Sequence, residues 1–333
     1  MSDAPLLAVR DLAVHYPLPR GLMGTLARRE ERVVRAVDGI SLTVAAGELV
    51  ALVGESGCGK TTTAQAVLRM LVPRAGSVEI DGRDIAPLSE RALRPVRREA
   101  QIVFQDPYES LDPRYRVRDT VAEPLVIHRI GTRATRTEKV REALERAGLS
   151  PAELFLDRYP HELSGGQRQR VAIAAALVLE PKLLVADEPV SMLDVSVRAG
   201  ILDLLDGLRK AGLGILMITH DLSTATHYAD RIMVMYLGRI VEEGPARTVV
   251  GNPRHPYTRA LISVVPRRDP DQQTTPQILK GETPNPVHVP PGCRFHPRCP
   301  VAEDRCREID PELRGIAGVA PAHRAACILL EDE

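Results

Sequence analysis

Gly54-Glu55-Ser56-Gly57-Cys58-Gly59-Lys60-Thr61 decides how the rest of these 333 residues is read. A nucleoside triphosphate brings about four negative charges that a protein meets by positioning alone. Glycines let backbone N–H groups crowd around phosphate oxygens, and a helix starting just after them points its positive end at the same place. Gly54, Gly57 and Gly59 meet that need. Lys60 supplies a point charge for the β- and γ-phosphates, and Thr61, followed by Thr62, offers a hydroxyl to Mg²⁺. Glu55 and Ser56 complete the loop, and Cys58 reads as a small filler rather than a redox switch. The apolar run Glu48 to Val53 leads in as a buried strand, and Thr61 to Leu71 follows as a helix.

Further along the chain, Leu163-Ser164-Gly165-Gly166-Gln167 is another glycine-rich stretch, with Ser164 placed to cap a helix. Chance yields the Gly54 loop in roughly one in 100 chains of this length and the Leu163 string in about one in a few thousand. The Leu163 string is suited to meeting another phosphate end, and one chain is ill suited to bringing the two together, so the pair points to an ATPase working as a dimer. Leu183 to Glu188 is an apolar strand ending in two carboxylates: Asp187 suits the Mg²⁺ shell, and Glu188 suits polarisation of an attacking water. Gln105 closes a short strand at Ile102 to Phe104, where it can touch Mg²⁺ or water. His220 closes the strand Gly214 to Thr219, at the sheet edge where α/β ligands bind.

Strands at Leu7 to Tyr16, Val34 to Val37 and Ile40 to Val44 precede the loop, and Asp81-Gly82 marks a hairpin turn. Residues 107 to about 180 read as a helical insertion, with Thr137 to Ala147 patterned as a helix. Val195 to Lys210 reads as an amphipathic helix. Strands alternating with helices give an α/β fold with a parallel sheet. Residues 17 to 33 read as an exposed insertion, and 266 to 292, with seven prolines, as a linker. The expected domains are therefore 1–265, the linker 266–292 and a Cys-containing segment 293–333.

Lysine plus arginine total 44, as do aspartate plus glutamate, so the basic excess of a nucleic-acid binder is absent. No apolar run reaches the ~20 residues that span a bilayer, and the N-terminus lacks a signal-peptide pattern, so a cytoplasmic protein is expected.

At these positions the chain resembles the ATP-binding subunits of ABC transporters, over about residues 6 to 265. The matching positions are Tyr16 (A-loop), Gly54 to Thr62 (Walker A), Gln105 (Q-loop), Leu163 to Gln167 (signature), Asp187 and Glu188 (Walker B), Ser191 to Asp194 (D-loop) and His220 (H-loop). The resemblance implies a P-loop NTPase (RecA-like) core with an antiparallel β subdomain and an inserted helical subdomain. It also implies that Tyr16 stacks on adenine, and that two such subunits close head to tail with each ATP between one Walker A and the partner's Ser164–Gly166 segment. Phe104 to Pro113, His255-Pro256-Tyr257-Thr258 and Gly292 to Pro300 resemble the oligopeptide/dipeptide importer branch. The long insertion after Tyr16 resembles the second of the two ATPase subunits in such importers, which implies a heterodimer with a related ATPase. The resemblance also implies two permeases, an extracytoplasmic binding protein, and a place on the cytoplasmic face of the membrane. Met192 and Ala175 depart from the usual pattern, and relatives with similar D-loops include oligosaccharide importers.

Cys293, Cys299, Cys306 and Cys327 are separated by five, six and twenty residues, unlike the C-x2-C spacing of zinc ribbons. The spacing leaves unligated thiols, zinc and [4Fe–4S] open. Arg294, Arg298, Arg305, Arg307 and Arg324 stand near in sequence to offset thiolate charge, and His296 reads as structural rather than as a fifth ligand. The peptide-importer resemblance implies an iron–sulfur cluster here.

Overall fold

A computed structural model describes residues 4–18, 32–106, 110–264, 277–279, 281–316 and 322–331. Most of the 17–33 insertion, the core of the proline-rich stretch and Pro107–Tyr108 lie outside the described residues. In chain order the strands are β1 (Leu7–Pro17), β2 (Val33–Val44), β3 (Leu49–Val53), β4 (Ala75–Ile80), β5 (Arg83–Asp84), β6 (Ala100–Val103), β7 (Leu183–Asp187), β8 (Gly214–Thr219), β9 (Arg231–Tyr236), β10 (Arg239–Pro245), β11 (Arg314–Gly315) and β12 (Arg324–Ala325). The α-helices are α1 (Lys60–Val67), α2 (Glu90–Glu99), α3 (Val117–Ile127), α4 (Arg133–Arg146), α5 (Gly165–Leu177), α6 (Val195–Lys210), α7 (Leu222–Tyr228), α8 (Ala246–Gly251) and α9 (Pro256–Ser263).

The chain divides into two compact units. One comprises Met1–Ala8, Thr43–Leu49 and Glu79–Thr219. Its strands β6, β7 and β8 pair in parallel, with Ala100 opposite Leu183 and Leu183 opposite Gly214. Every residue of β7 and β8 is buried, the unbroken apolar pattern of a parallel strand covered on both faces. The insertion after β6 supplies α3, α4 and α5, which pack on one another. Asp81 and Gly82 both have positive φ and turn β4 into β5 with Ile80 opposite Arg83, as the Asp-Gly signal predicts.

The other unit comprises Val9–Leu42, Val50–Val78 and His220–Glu333. Here β3 runs parallel to β9, with Val53 opposite Val234. Leu237 and Gly238, both at positive φ, return the chain into antiparallel β10. The C-terminal segment adds to this sheet: β12 pairs with β10, Glu243 opposite Arg324, and β11 pairs with β12. Strands β2, β1 and β4 lie side by side in that order.

Two local expectations change. The strands read at Val34 to Val37 and Ile40 to Val44 form one element, β2, with Gly39 at φ 82° inside it. The helix expected to reach Leu71 stops at Val67. Arg69, at φ 56°, closes it in a Schellman arrangement: its N–H donates to the Ala66 carbonyl, and the Met70 N–H donates to Gln65. Glycine usually marks that position, so an arginine there leaves no stop signal in the sequence.

Candidate active site

The phosphate loop lies between β3 and α1. Gly59 has φ 111°, and a Cβ added there would stand 2.1 Å from the Ala36 carbonyl oxygen. A Cβ on Gly54 would stand 2.2 Å from the Met235 carbonyl oxygen. Only glycine fits either place. Lys60 opens α1 and is almost fully buried; its Nζ donates to the Gly54 and Glu55 carbonyls at 2.8 and 2.9 Å. The ammonium is thereby held over the loop, at the positive end of an eight-residue helix. Glycines that admit no side chain, a buried lysine and a helix N-terminus form a cradle suited to a polyphosphate. Cys58 is buried, and burial, foremost, raises its thiol, in keeping with a filler. Tyr16, next to last in β1, is exposed, and His220 follows β8 on the surface.

Glu55 has partners at every polar atom. Its N–H donates to the Tyr257 hydroxyl at 2.9 Å. Its carboxylate accepts from Thr283 Oγ1 at 2.7 Å and from both terminal nitrogens of Arg298 at 2.8 and 3.2 Å. Burial opposes ionisation of Glu55, but the Arg298 and Thr283 hydrogen bonds outweigh it and hold the carboxyl below its usual range.

In the other unit, the acidic end of β7 places Asp187 in the interior and Glu188 half-buried. Glu188 has φ 45°, a left-handed conformation rare for this residue and typical of functional sites. Gln105 Nε2 donates to Glu188 Oε2 at 3.0 Å, so the structure brings these two predicted residues together. Ser164 caps α5 as expected. Its Oγ accepts from the Gln167 N–H at 3.2 Å, while Gln167 Oε1 accepts from the Ser164 N–H at 3.0 Å. Gly165 and Gly166 open this helix, and a Cβ on Gly166 would stand 2.3 Å from Val197 Cγ1, in the helix that begins after Asp194. Met192 and Val195, on either side of Leu193 and Asp194, are strongly exposed.

The C-terminal arginines depart from expectation. They are spent on carboxylates: Arg294 on Asp38, Arg298 on Glu55, Arg305 on Glu303, Arg307 on Asp304 and Arg324 on Glu243. Burial, foremost, pushes the Cys293 thiol up to about 11; the Phe295 amide opposes this, and Cys327, Cys299 and Cys306 add to it. Among the described residues, no group of three or more His, Cys, Asp or Glu side chains is placed to hold a metal ion. These side-chain positions thus lend the expected cluster no support; Cys306 is buried, and Cys293, Cys299 and Cys327 are half-buried. His296 is structural, its Nδ1 bonded to the Cys293 carbonyl at 2.9 Å.

Sequence reasoning singled out neither Thr283 nor the pairing of Arg298 with Glu55. Their partner lies more than 220 positions away, and no local pattern announces it. Among the described residues no helix is long and apolar enough to cross a membrane.

A family model described as ABC transporter matches residues 37–191. Another, described as oligopeptide/dipeptide transporter, C-terminal region, matches residues 241–306. The chain is 48% identical over 311 residues to the di/tripeptide transport ATP-binding protein DppF of Pseudomonas aeruginosa, covering 93% of this chain and 94% of that one. It is 45% identical over 332 residues to the oligopeptide transport ATP-binding protein AppF of Bacillus subtilis, covering 98% of each. Among solved structures, the dimeric, post-hydrolysis ATP-binding cassette MJ0796 bound to ADP and Pi matches with a TM-score of 0.63 and 29% identity, over 72% of this chain and 99% of that one. CbiO1 of Clostridium perfringens, part of a CbiONQ transporter complex, matches with a TM-score of 0.64 and 31% identity, over 75% and 92%.

Proposed function

The chain belongs to the ABC transporter ATPases of the oligopeptide/dipeptide kind, and on that premise we propose that it is the ATP-hydrolysing motor of a peptide importer. The observation that carries this reading is the glycine cradle over Gly54–Lys60 on the same chain as the matched C-terminal region. The proposed domains are the nucleotide-binding domain 1–265, the linker 266–292 and the Cys segment 293–333. The motor sits on the cytoplasmic face of the membrane against two permeases, served by an extracytoplasmic binding protein. Its partner is a second, related ATP-binding subunit, so the working pair is a heterodimer. Zero net charge supports the absence of nucleic acid among its partners.

In this reading the loop amides from Ser56 to Thr62 and the Lys60 ammonium hold the phosphates, Gly54 and Glu55 complete the loop, and Tyr16 stacks on the base. Thr61, Gln105 and Asp187 would hold Mg²⁺, which when bound would neutralise charge on the phosphate oxygens. Glu188 takes a proton from the attacking water, with Gln105 orienting its carboxylate from 3.0 Å. His220 contacts the γ-phosphate. Ser164, Gly165, Gly166 and Gln167 close over the partner's nucleotide, and Asp194 lies at the same subunit boundary. Closure excludes water and completes the site; hydrolysis reopens it and drives the permeases.

Uptake of labelled di- and tripeptides by cells lacking this chain tests the reading. The wild type is expected to restore uptake. Glu188→Gln is expected to bind MgATP but to turn over about 10²-fold more slowly or worse. Full uptake with Glu188→Gln would remove Glu188 from the mechanism, and uptake of oligosaccharides instead would reassign the cargo.

The Cys tail carries a separate proposal: Cys293, Cys299, Cys306 and Cys327 hold a [4Fe–4S] cluster, a reading supported by the Cys293 N–H donating to the Cys306 carbonyl at 2.9 Å, which brings two of the four together. Anaerobic purification with bound iron and an absorbance band near ~400 nm is expected. A colourless, iron-free protein that turns over normally would end this proposal.

A further inference from the structure

The phosphate loop contains a carboxylate, Glu55, beside the place where a polyanion is to bind. An unpaired negative charge there opposes the ligand, and its repulsion grows as the site excludes water. The structure pairs it. Arg298 grips Glu55 with two nitrogens, Thr283 adds a third hydrogen bond, and Arg298 also donates to Thr283 Oγ1 at 3.2 Å. Such a fork is the strong, directional form of an ion pair.

Arg298 is itself held in place. It ends the short turn His296–Arg298, and its N–H donates to the Phe295 carbonyl at 3.0 Å. Phe295 is buried against Tyr236, Tyr257 and His255, with ring centroids 5.3 to 5.6 Å away. The Arg298 guanidinium lies 5.9 Å from the centre of the Tyr236 ring. Tyr257, from the same aromatic group, takes the Glu55 N–H. The Glu55 carbonyl holds Lys60. One connected chain of contacts therefore runs from the Cys-bearing tail, through Arg298 and Glu55, to the phosphate-binding lysine.

We propose that Arg298 is a positioning residue for the nucleotide reaction, acting through Glu55: it neutralises the carboxylate of the phosphate loop and fixes the loop's first turn. The Cys-bearing tail is then part of the nucleotide-binding apparatus, and losing its grip weakens ATP binding rather than the chemical step. This rests on the ATPase reading above.

The test is equilibrium titration of the full-length protein with MgATP and with a fluorescent trinitrophenyl ATP, alongside steady-state hydrolysis. Arg298→Ala is expected to raise Kd and KM about tenfold with kcat nearly unchanged, because truncating one partner leaves the other charge unpaired. Adding Glu55→Gln to Arg298→Ala is expected to restore Kd to within about threefold of wild type, since the stranded charge is gone. Arg298→Lys, which keeps charge without the fork, falls between the two. A double variant as weak as Arg298→Ala, or an Arg298→Ala that binds as wild type does, overturns the proposal. Should Arg298→Ala fail to fold, Glu55→Gln alone decides. Tighter binding by about threefold is expected because the Arg298 charge is then left unpaired near the phosphate loop, whereas unchanged or weaker binding overturns the proposal. A wild type that binds no nucleotide would instead sink the ATPase reading.

Discussion

The two glycine loops are held in opposite ways. The loop at Ser164 is held mainly by its own residues: Ser164 and Gln167 exchange hydrogen bonds across three residues and cap their own helix, and from outside the Val197 side chain packs on Gly166. The loop at Gly54 is held from afar. Ala36 and Met235 carbonyls crowd its glycines, Tyr257 takes an amide, and Thr283 and Arg298 take the Glu55 carboxylate. A loop that carries its own cap can present a free face to a partner subunit. A loop that must keep a lysine and several amides pointed at one ligand needs support from many directions, and only distant chain segments can supply it.

This contrast can be broken at measurable points. The largest effect belongs to Gly59→Ala. The new Cβ meets backbone at a positive φ, and strain of about 3 kcal/mol or more is expected, with MgATP affinity falling at least ~100-fold in titration. Gly166→Ala comes next. Its Cβ meets a side chain, Val197, so the neighbour can be trimmed: ATPase is expected to fall about tenfold, and Val197→Ala to recover part of it. No recovery would mean that Gly166 faces something other than Val197.

Ser164→Ala removes a cap and is expected to cost about 1 kcal/mol in chemical denaturation, as a self-supporting loop should. A much larger loss would show that this loop, too, leans on distant structure. The smallest effect is a pH dependence. The Glu55 carboxyl ionises at lower pH in the folded chain than in the unfolded one, with burial resisting and Arg298 and Thr283 prevailing. Around and below the free carboxyl's range the unfolded state therefore binds more protons. The stability Glu55 contributes is whole above that range and fades as pH falls through the folded value. Thermal melts of Glu55→Gln should approach those of wild type in acid and lie below them at neutral pH; a constant gap would deny Glu55 that role.

The helices and strands that were legible in the sequence have short-range causes. Helix α6 and strand β8 match their expected bounds, because helical periodicity and an unbroken apolar run are written in adjacent residues. The Asp81-Gly82 turn and the Ser164 cap were readable for the same reason. Strands β11 and β12 were not, being two residues each and defined only by their pairing. The end of α1 was hidden by an arginine standing where glycine is usual. The five tail arginines illustrate the limit best. Counted along the chain they resemble compensation for thiolates, yet Arg294, Arg298 and Arg324 pair with carboxylates that only the fold brings near, while Arg305 and Arg307 pair with Glu303 and Asp304, two and three positions away.

The sequence by itself determined the chemistry available: which glycines admit phosphate, which lysine meets it, which carboxylates end a buried strand, and which residues cap the Ser164 loop. These depend on residue types at fixed short spacing. Only the tertiary structure decided who neutralises Glu55, how the thiols of the tail lie relative to one another, and that the tail extends the sheet carrying the phosphate loop. Charge pairing and strand pairing act through space, and separations of 81 to 243 positions leave no trace in local order.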